Sequence, residues 1–211
     1  MRSRFPGVFA DRRDAGRKLA QALSSYQGQG AVVYAVPRGG VIVAAEVARS
    51  LGAPLDLVIA RKVGHPLSPE YAIAAVGEDG IAFTNPQEME SIDKEWFEQQ
   101  VLVQKEEARR RRKIYMQGRA SVDVKNKTGV IVDDGLATGL TMFAAIEDVR
   151  QRGPRRVVVA VPVAPPETLR RLRLVADEVV VLCTPQDFRS IGSFYSEFPQ
   201  VSDAEVVEAL K

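Results

Sequence analysis

The sequence has almost no cysteine or histidine: Cys183 and His65 stand alone among 211 residues. A single cysteine excludes a disulfide framework within the chain and any multi-cysteine metal site. A single histidine excludes His-rich metal centres and leaves little for a Ser-His-Asp or Cys-His catalyst. No apolar run reaches the roughly 20 residues of a transmembrane helix. The first residues, MRSRFPGVFADRRD, have no apolar core of the secretory type. The expectation is a soluble cytoplasmic protein with no membrane partner. Disorder is not expected, because 45% of residues are hydrophobic and the formal net charge is only +2. Near-neutral charge also argues against a surface that grips nucleic acid throughout. The balance hides an asymmetry, since 21 of the 29 basic residues are arginine. That leaves local basic sites that hold anions.

The length fits one domain, residues 1–211, with a core of its own. Asp11 is placed to cap a helix, with Asp14 in its first turn. Phe9, Ala15, Leu19, Ala22, Leu23 and Tyr26 follow at helical spacing. AVVYAV (31–36) is a short apolar run that reads as a buried strand. PRGG follows, then a helix over 41–51 that Gly52 ends. PLDLVIA (54–60) reads as a second strand, and RKVGHPLSPEY (61–71) as a loop, for its Pro, Gly and Ser. AIAAVGEDG and IAFTNP read as short strands around a turn at 78–80. Residues 91–117 contain no Pro or Gly and predict a long helix capped by Ser91, with Ile92, Trp96 and Val103 on one face. From Lys127 onward Val- and Ile-rich strands alternate with helices. This alternation predicts an α/β fold with a doubly wound, mostly parallel sheet. A terminal helix is capped by Ser202.

The most informative stretch is GVIVDDGLATGLTMFAAI (129–146). An apolar strand ends in Asp133 and Asp134, and a short Gly/Thr loop opens a helix. Ligands of open α/β sheets bind beyond the carboxyl ends of strands. A loop that opens a helix presents free N–H groups and a positive dipole end, which suits a phosphate. Two threonine hydroxyls add donors. The carboxylates suit sugar hydroxyls, which donate. Anion grip and hydroxyl grip in immediate succession describe a ribose 5-phosphate. The stretch is neither a Walker A loop nor a GxGxxG fingerprint. The plain alternative is an ordinary strand-turn-helix.

This run, from Val130 through Asp133, Asp134, Ala137, Thr138 and Gly139 to Thr141, resembles the phosphoribosyl-pyrophosphate motif of type I phosphoribosyltransferases. Ala137 departs from it, where many members have threonine. Pro37-Arg38-Gly39-Gly40 matches the place where the family holds pyrophosphate. PRGG, RKVG, Pro69 to Ala74 and FADRRDAGRKLAQAL further resemble an uncharacterised bacterial subgroup, so the similarity spans nearly the whole chain. The resemblance implies the type I fold, with a long helical insertion at 61–128 in place of the flexible loop. It also implies a small C-terminal hood at 186–211, joined by part of the N-terminus.

It implies a magnesium-dependent transferase that moves ribose 5-phosphate from phosphoribosyl pyrophosphate to a nitrogen of a base, and a homodimer. Asp133, Asp134 and Arg38 would be the catalytic residues, with the two aspartates on the ribose. Ala137, Thr138, Gly139, Leu140 and Thr141 would hold the 5-phosphate. Arg38, Gly39, Gly40, Arg61 and Lys62 would hold pyrophosphate. Mg2+ would bind mainly through substrate oxygens and water. In the hood, Phe188, Phe194 and Tyr195 are the aromatic candidates to face a base, Phe188 first because it follows the last strand most closely. One alternative is a regulator that binds a phosphoribosyl ligand without turnover. Another is a nucleic-acid module using Arg109 to Arg112. Against the latter, Glu106 with Arg110 and Glu107 with Arg111 fit i,i+4 pairs along a helix. His65 reads as a loop residue and Cys183 as a small buried hydrophobe.

Overall fold

The computed structural model describes residues 8–78, 80, 82–84 and 86–211. The N-terminal Met1 to Gly7, Asp79 of the expected turn, and Ile81 and Asn85 of the expected strand lie outside the described residues. The chain order is α1 (Arg12–Ala22), β1 (Val32–Ala35), α2 (Gly39–Leu51), β2 (Leu55–Leu57), β3 (Arg61–His65), β4 (Ser68–Val76), β5 (Ala82–Thr84), α3 (Pro86–Met89), α4 (Lys94–Met116), β6 (Thr128–Val132), α5 (Leu140–Gln151), β7 (Arg156–Val163), α6 (Pro166–Leu172), β8 (Glu178–Cys183) and α7 (Asp203–Ala209). Five strands form one sheet in the order β2-β1-β6-β7-β8, with every neighbouring pair parallel.

The apolar strands are buried on both faces, and successive side chains serve different cores. Val33 and Ala35 face a cluster with α1, α2, α7 and the end of α4, including Leu19, Val43 and Tyr115. Val32, Tyr34 and Ile131 face a second cluster with Met142, Phe143 and Ile146 of α5 and Leu169 of α6. Helices on both sides make the sheet doubly wound, as the alternation predicted. Asp11 caps α1, its side chain accepting from Asp14 N, and Gly52 ends α2 at φ 62°. Ser202 caps α7 in a reciprocal box with Glu205.

Several local expectations are corrected. Residues 61–71 are not a loop. They form β3 and the start of its antiparallel partner β4, which β5 completes as a three-stranded sheet. His65 accordingly ends a strand, where its Nδ1 accepts from Leu67 N at 3.1 Å. The long helix is capped by Asp93, whose carboxylate accepts from Trp96 N, rather than by Ser91. Ile92 and Trp96 pack with Phe97 and Val101 against Val63, Ile73 and Val76, but Val103 is exposed. Cys183 is only partly buried at the end of β8.

The basic run of α4 is largely consumed within the chain. Glu106 pairs with Arg109, while Glu107 takes both Arg110 and Arg111. Arg112 turns inward. It donates to Leu57 O, Glu78 Oε1, Asp56 Oδ1 and Ser121 Oγ. Asp56 is fully buried in β2 and also accepts from Val122 N at 2.9 Å, with Arg152 Nη1 3.9 Å away. This cluster pins α4 to the main sheet. Removing one partner of a buried charge pair typically destabilises by about 3–5 kcal/mol. Asp56→Ala should lose stability of that order in urea unfolding; a change within about 0.5 kcal/mol, as at an ordinary surface site, would contradict the pinning role.

Candidate active site

The strand order sets the position of the site. From β1 the chain passes through α2 to β2 on one side, whereas from β6 it passes through α5 to β7 on the other. The order therefore reverses between β1 and β6, and a crevice opens at their carboxyl ends. Val36 N, just past β1, donates to Val132 O at 3.0 Å, so the two strand ends are tied together. Arg38-Gly39-Gly40 leaves one strand there, and Asp133-Asp134 leaves the other. The Pro37–Arg38 peptide bond is cis.

The two segments touch closely enough to dictate residue type. A Cβ added to Gly39 would lie 1.9 Å from Asp134 Oδ2, and one added to Gly40 would lie 2.8 Å from Asp133 Oδ1. Any side chain at either position would displace the carboxylates. The glycines of PRGG are thus required by contact with the aspartate pair, far away in the sequence.

Each aspartate has its own surroundings. Asp134 is buried, and Arg12 Nε donates to its Oδ2 at 2.7 Å. The Arg12 guanidinium also donates to Pro199 O and lies 3.7 Å above the centre of the Phe198 ring. Tyr195 Oη donates to the Asp134 carbonyl at 2.6 Å. Asp133 Oδ1 accepts from Asp134 N at 2.8 Å, and the residue as a whole is half-buried. Burial, and then the neighbouring Asp134 charge, push the Asp133 carboxyl well above the ordinary aspartate range. Burial raises Asp134 as well, against the opposing pull of Arg12. Tyr195 is pushed far up by burial and by Asp134, so it remains a donor.

The loop after the aspartates is held from beneath. Leu136 is buried, and its N–H donates to Val163 O at 2.9 Å. Thr168 Oγ1 donates to Ala137 O. Gly139 has φ 76°, and a Cβ there would meet Thr168 Cγ2 at 2.8 Å. Ala137 and Thr138 are left on the surface, and Thr141 is half-buried. Gly139 precedes the first turn of α5 and no side chain caps that turn. Its first N–H groups have no acceptor within the helix.

The remaining expected residues have contacts of their own. Arg38 stands at the start of α2, with Nη1 3.7 Å from Asp203 Oδ1. Arg61 is tied to α4, donating from Nε to Gln104 Oε1 at 3.2 Å. Burial and Arg111 lower its pKa. Lys62, next along the same strand, is exposed. Phe188 is partly buried and stacks on Phe194 at 5.8 Å. Tyr195 is no platform for a ligand, since its ring packs between Phe9 and Phe198. Among the described residues, no group of three or more His, Cys, Asp or Glu side chains could hold a metal ion. No described helix is long and apolar enough to cross a membrane.

Arg12 escapes a reading of the sequence, although a signal exists. A cation in the first turn of a helix opposes the helix dipole. Such a residue is usually explained by a partner elsewhere, here a carboxylate 122 positions away.

The electrostatics predict a trade of stability against binding. A carboxyl whose folded pKa is raised destabilises the fold once ionised. That penalty is complete above the folded pKa and absent below the unfolded value of 3.8. Asp133→Asn removes it. The variant should be about 0.5–2 kcal/mol more stable at pH 7, the usual scale of relieved site strain. The gain should shrink as pH falls towards about 4. Thermal unfolding across pH 4–8 checks this, and a less stable variant at pH 7 would contradict it.

Comparison with known proteins agrees with this geometry. Residues 10–195 match the family model described as the phosphoribosyl transferase domain. TT1426 from Thermus thermophilus, a crystal structure, is 46% identical with a TM-score of 0.82, covering 96% of this chain and 97% of that one. The purine phosphoribosyltransferase of Pyrococcus horikoshii Ot3 shares the fold, with a TM-score of 0.50 at 21% identity over 90% of this chain and 92% of that one. A Mycobacterium tuberculosis H37Rv protein named "Putative phosphoribosyl transferase" is 43% identical over 205 residues, which are 96% of this chain. The chain spans about half the length of the curated relatives it matches, 46% of that protein. A switch-point crevice with paired aspartates, an approaching PRGG loop and a family model spanning both thus place the chain in the phosphoribosyl transferase domain family.

Proposed function

We propose that this protein transfers ribose 5-phosphate from phosphoribosyl pyrophosphate to a nitrogen of a base, with release of pyrophosphate. The observation that carries the reading is the seating of Gly39 and Gly40 on the Asp133–Asp134 pair, beside the uncapped first turn of α5. A sugar carrying one phosphate and one pyrophosphate needs hydroxyl acceptors flanked by two anion sites, and these three features offer them in that arrangement.

In this reading the first turn of α5 and the loop 137–141 bind the 5-phosphate through backbone N–H groups and Thr138 and Thr141 hydroxyls. Asp133 accepts from a ribose hydroxyl with its carboxylate. Asp134, with one oxygen on Arg12, holds the neighbouring hydroxyl with the other. Both functions need ionised carboxylates, so hydroxyl donation and nearby cations restore the charge that burial suppresses. Arg38 and the amides of Gly39 and Gly40 take the pyrophosphate, which leaves with the electron pair of the C1–O bond. The acceptor nitrogen supplies the pair for the new C1–N bond, and the proton it carried passes to solvent. Catalysis then rests on positioning and electrostatics rather than on a protein nucleophile. The donor set fits Mg2+: hard oxygens from the substrate, water and the adjacent carboxylates, with no protein cage. When bound, that ion neutralises the charge of the departing pyrophosphate. Phe188, in the hood, is the ring offered to the base.

Two charge-assisted hydrogen bonds at about 1.5–3 kcal/mol each predict a loss of about 100-fold or more in phosphoribosyl-pyrophosphate affinity for Asp133→Asn with Asp134→Asn. Calorimetry measures it, with unfolding as the control. Unchanged affinity in the folded double variant would sink the assignment. Pyrophosphate release with a panel of bases then separates an enzyme from a protein that binds without turnover.

A further inference from the structure

Arg38 has a partner that the reaction does not explain. Its Nη1 lies 3.7 Å from Asp203 Oδ1. Asp203 is the first residue of α7, just after the Ser202 cap. That carboxylate is fixed from the other side, since Tyr115 Oη of α4 donates to the same Oδ1 at 2.7 Å. Tyr115 is buried and packs with Met116 and Val206 in the main core. Burial and the Asp203 bond raise its phenol to about 12, so it stays a donor at neutral pH. The two contacts of Asp203 are therefore unequal. The bond to Tyr115 is short and rests on a buried anchor. The contact with Arg38 is long, and the side chains involved are 42% and 56% exposed. A pair of this kind contributes little and exchanges readily with another anion.

We propose that Asp203 is the resident counter-ion of Arg38, and that pyrophosphate displaces it on binding and is displaced by it on release. Asp203 is then an affinity-setting residue for the pyrophosphate half of the site, without itself touching the sugar. The inference rests on the reading of Arg38 as a pyrophosphate ligand. Physically, it gives a product that carries several negative charges a way out. An arginine with no alternative partner would hold pyrophosphate after the reaction, whereas a fixed carboxylate within reach lowers that hold by the strength of the exposed pair.

The test is a double-mutant cycle on the full chain with magnesium pyrophosphate as the probe, read by calorimetry. An exposed ion pair predicts that Asp203→Asn tightens pyrophosphate binding by about 1.5- to 5-fold. High salt should narrow the difference, because the competing pair is screened. In an Arg38→Ala background, Asp203→Asn should have no effect, since the competition is for that guanidinium. A purely structural role for Asp203 would instead weaken binding in both backgrounds. Unchanged or weaker binding in the single variant overturns the inference, as does an equal effect in both backgrounds. If the Asn variant fails to fold, Asp203→Ser carries the same expectation. Failure of the underlying reading looks different: wild-type protein would then bind neither phosphoribosyl pyrophosphate nor pyrophosphate.

Discussion

Two adjacent carboxylates at the end of a buried strand are an unfavourable arrangement, and much of the molecule is organised around it. Burial and mutual repulsion both oppose ionisation of Asp133 and Asp134. Arg12 answers for one of the two charges. The C-terminal segment holds it in place, through the Pro199 carbonyl and the face of Phe198. Tyr195 adds a bond to the backbone between the carboxylates and the loop. The N-terminal helix and the C-terminal segment therefore serve the same pair of residues. Their main-chain contacts agree, since Phe9 N donates to Phe194 O and Ser196 N to Phe9 O.

The same constraint shapes the approach of the PRGG loop. In the proposed reading, backbone amides serve an anion only if they come near a sugar held by the carboxylates. Gly39 and Gly40 meet this by omitting the atom that would collide. The site is thus rigid where charge and backbone converge and looser where Arg38 extends toward α7. Strand termini supply the rigid part, and side chains on helices supply the rest.

What the sequence reveals follows the distance over which each interaction acts. The β6 strand, the aspartates and the start of α5 are contiguous, so their chemistry can be read locally. PRGG is legible for the same reason. The contact between these segments is not, and neither is Arg12, whose partner lies 122 positions away. The misreading of 61–71 has a specific cause. Gly64 and Pro69 resemble turn residues, yet a Cβ on Gly64 would fall 2.1 Å from Pro69 O. The glycine permits a tight crossing of two paired strands, whose register shifts on both sides of it. Composition cannot tell such a bulged hairpin from a loop. At the long helix, Ser91 and Asp93 are both good caps, and only the backbone shows that Asp93 accepts from Trp96 N. Val103 illustrates a further limit. Helical periodicity marks a face, but the stripe of α4 that meets the rest of the chain runs through Phe97, Val101, Gln104 and Ala108, and Val103 turns to solvent.

The hydrogen bond from Arg12 to Pro199 spans 187 positions, and the ion pair to Asp134 spans 122. Contacts of that separation require the intervening chain to be closed into loops first, which makes them late and entropically demanding. The crevice is complete only when segments from both ends of the chain have docked on the parallel sheet. A chain arrested with all five central strands paired would still lack Arg12 and Tyr195 around Asp134. The contacts around Asp134 are therefore a measure of complete folding, more demanding than any count of helix or strand.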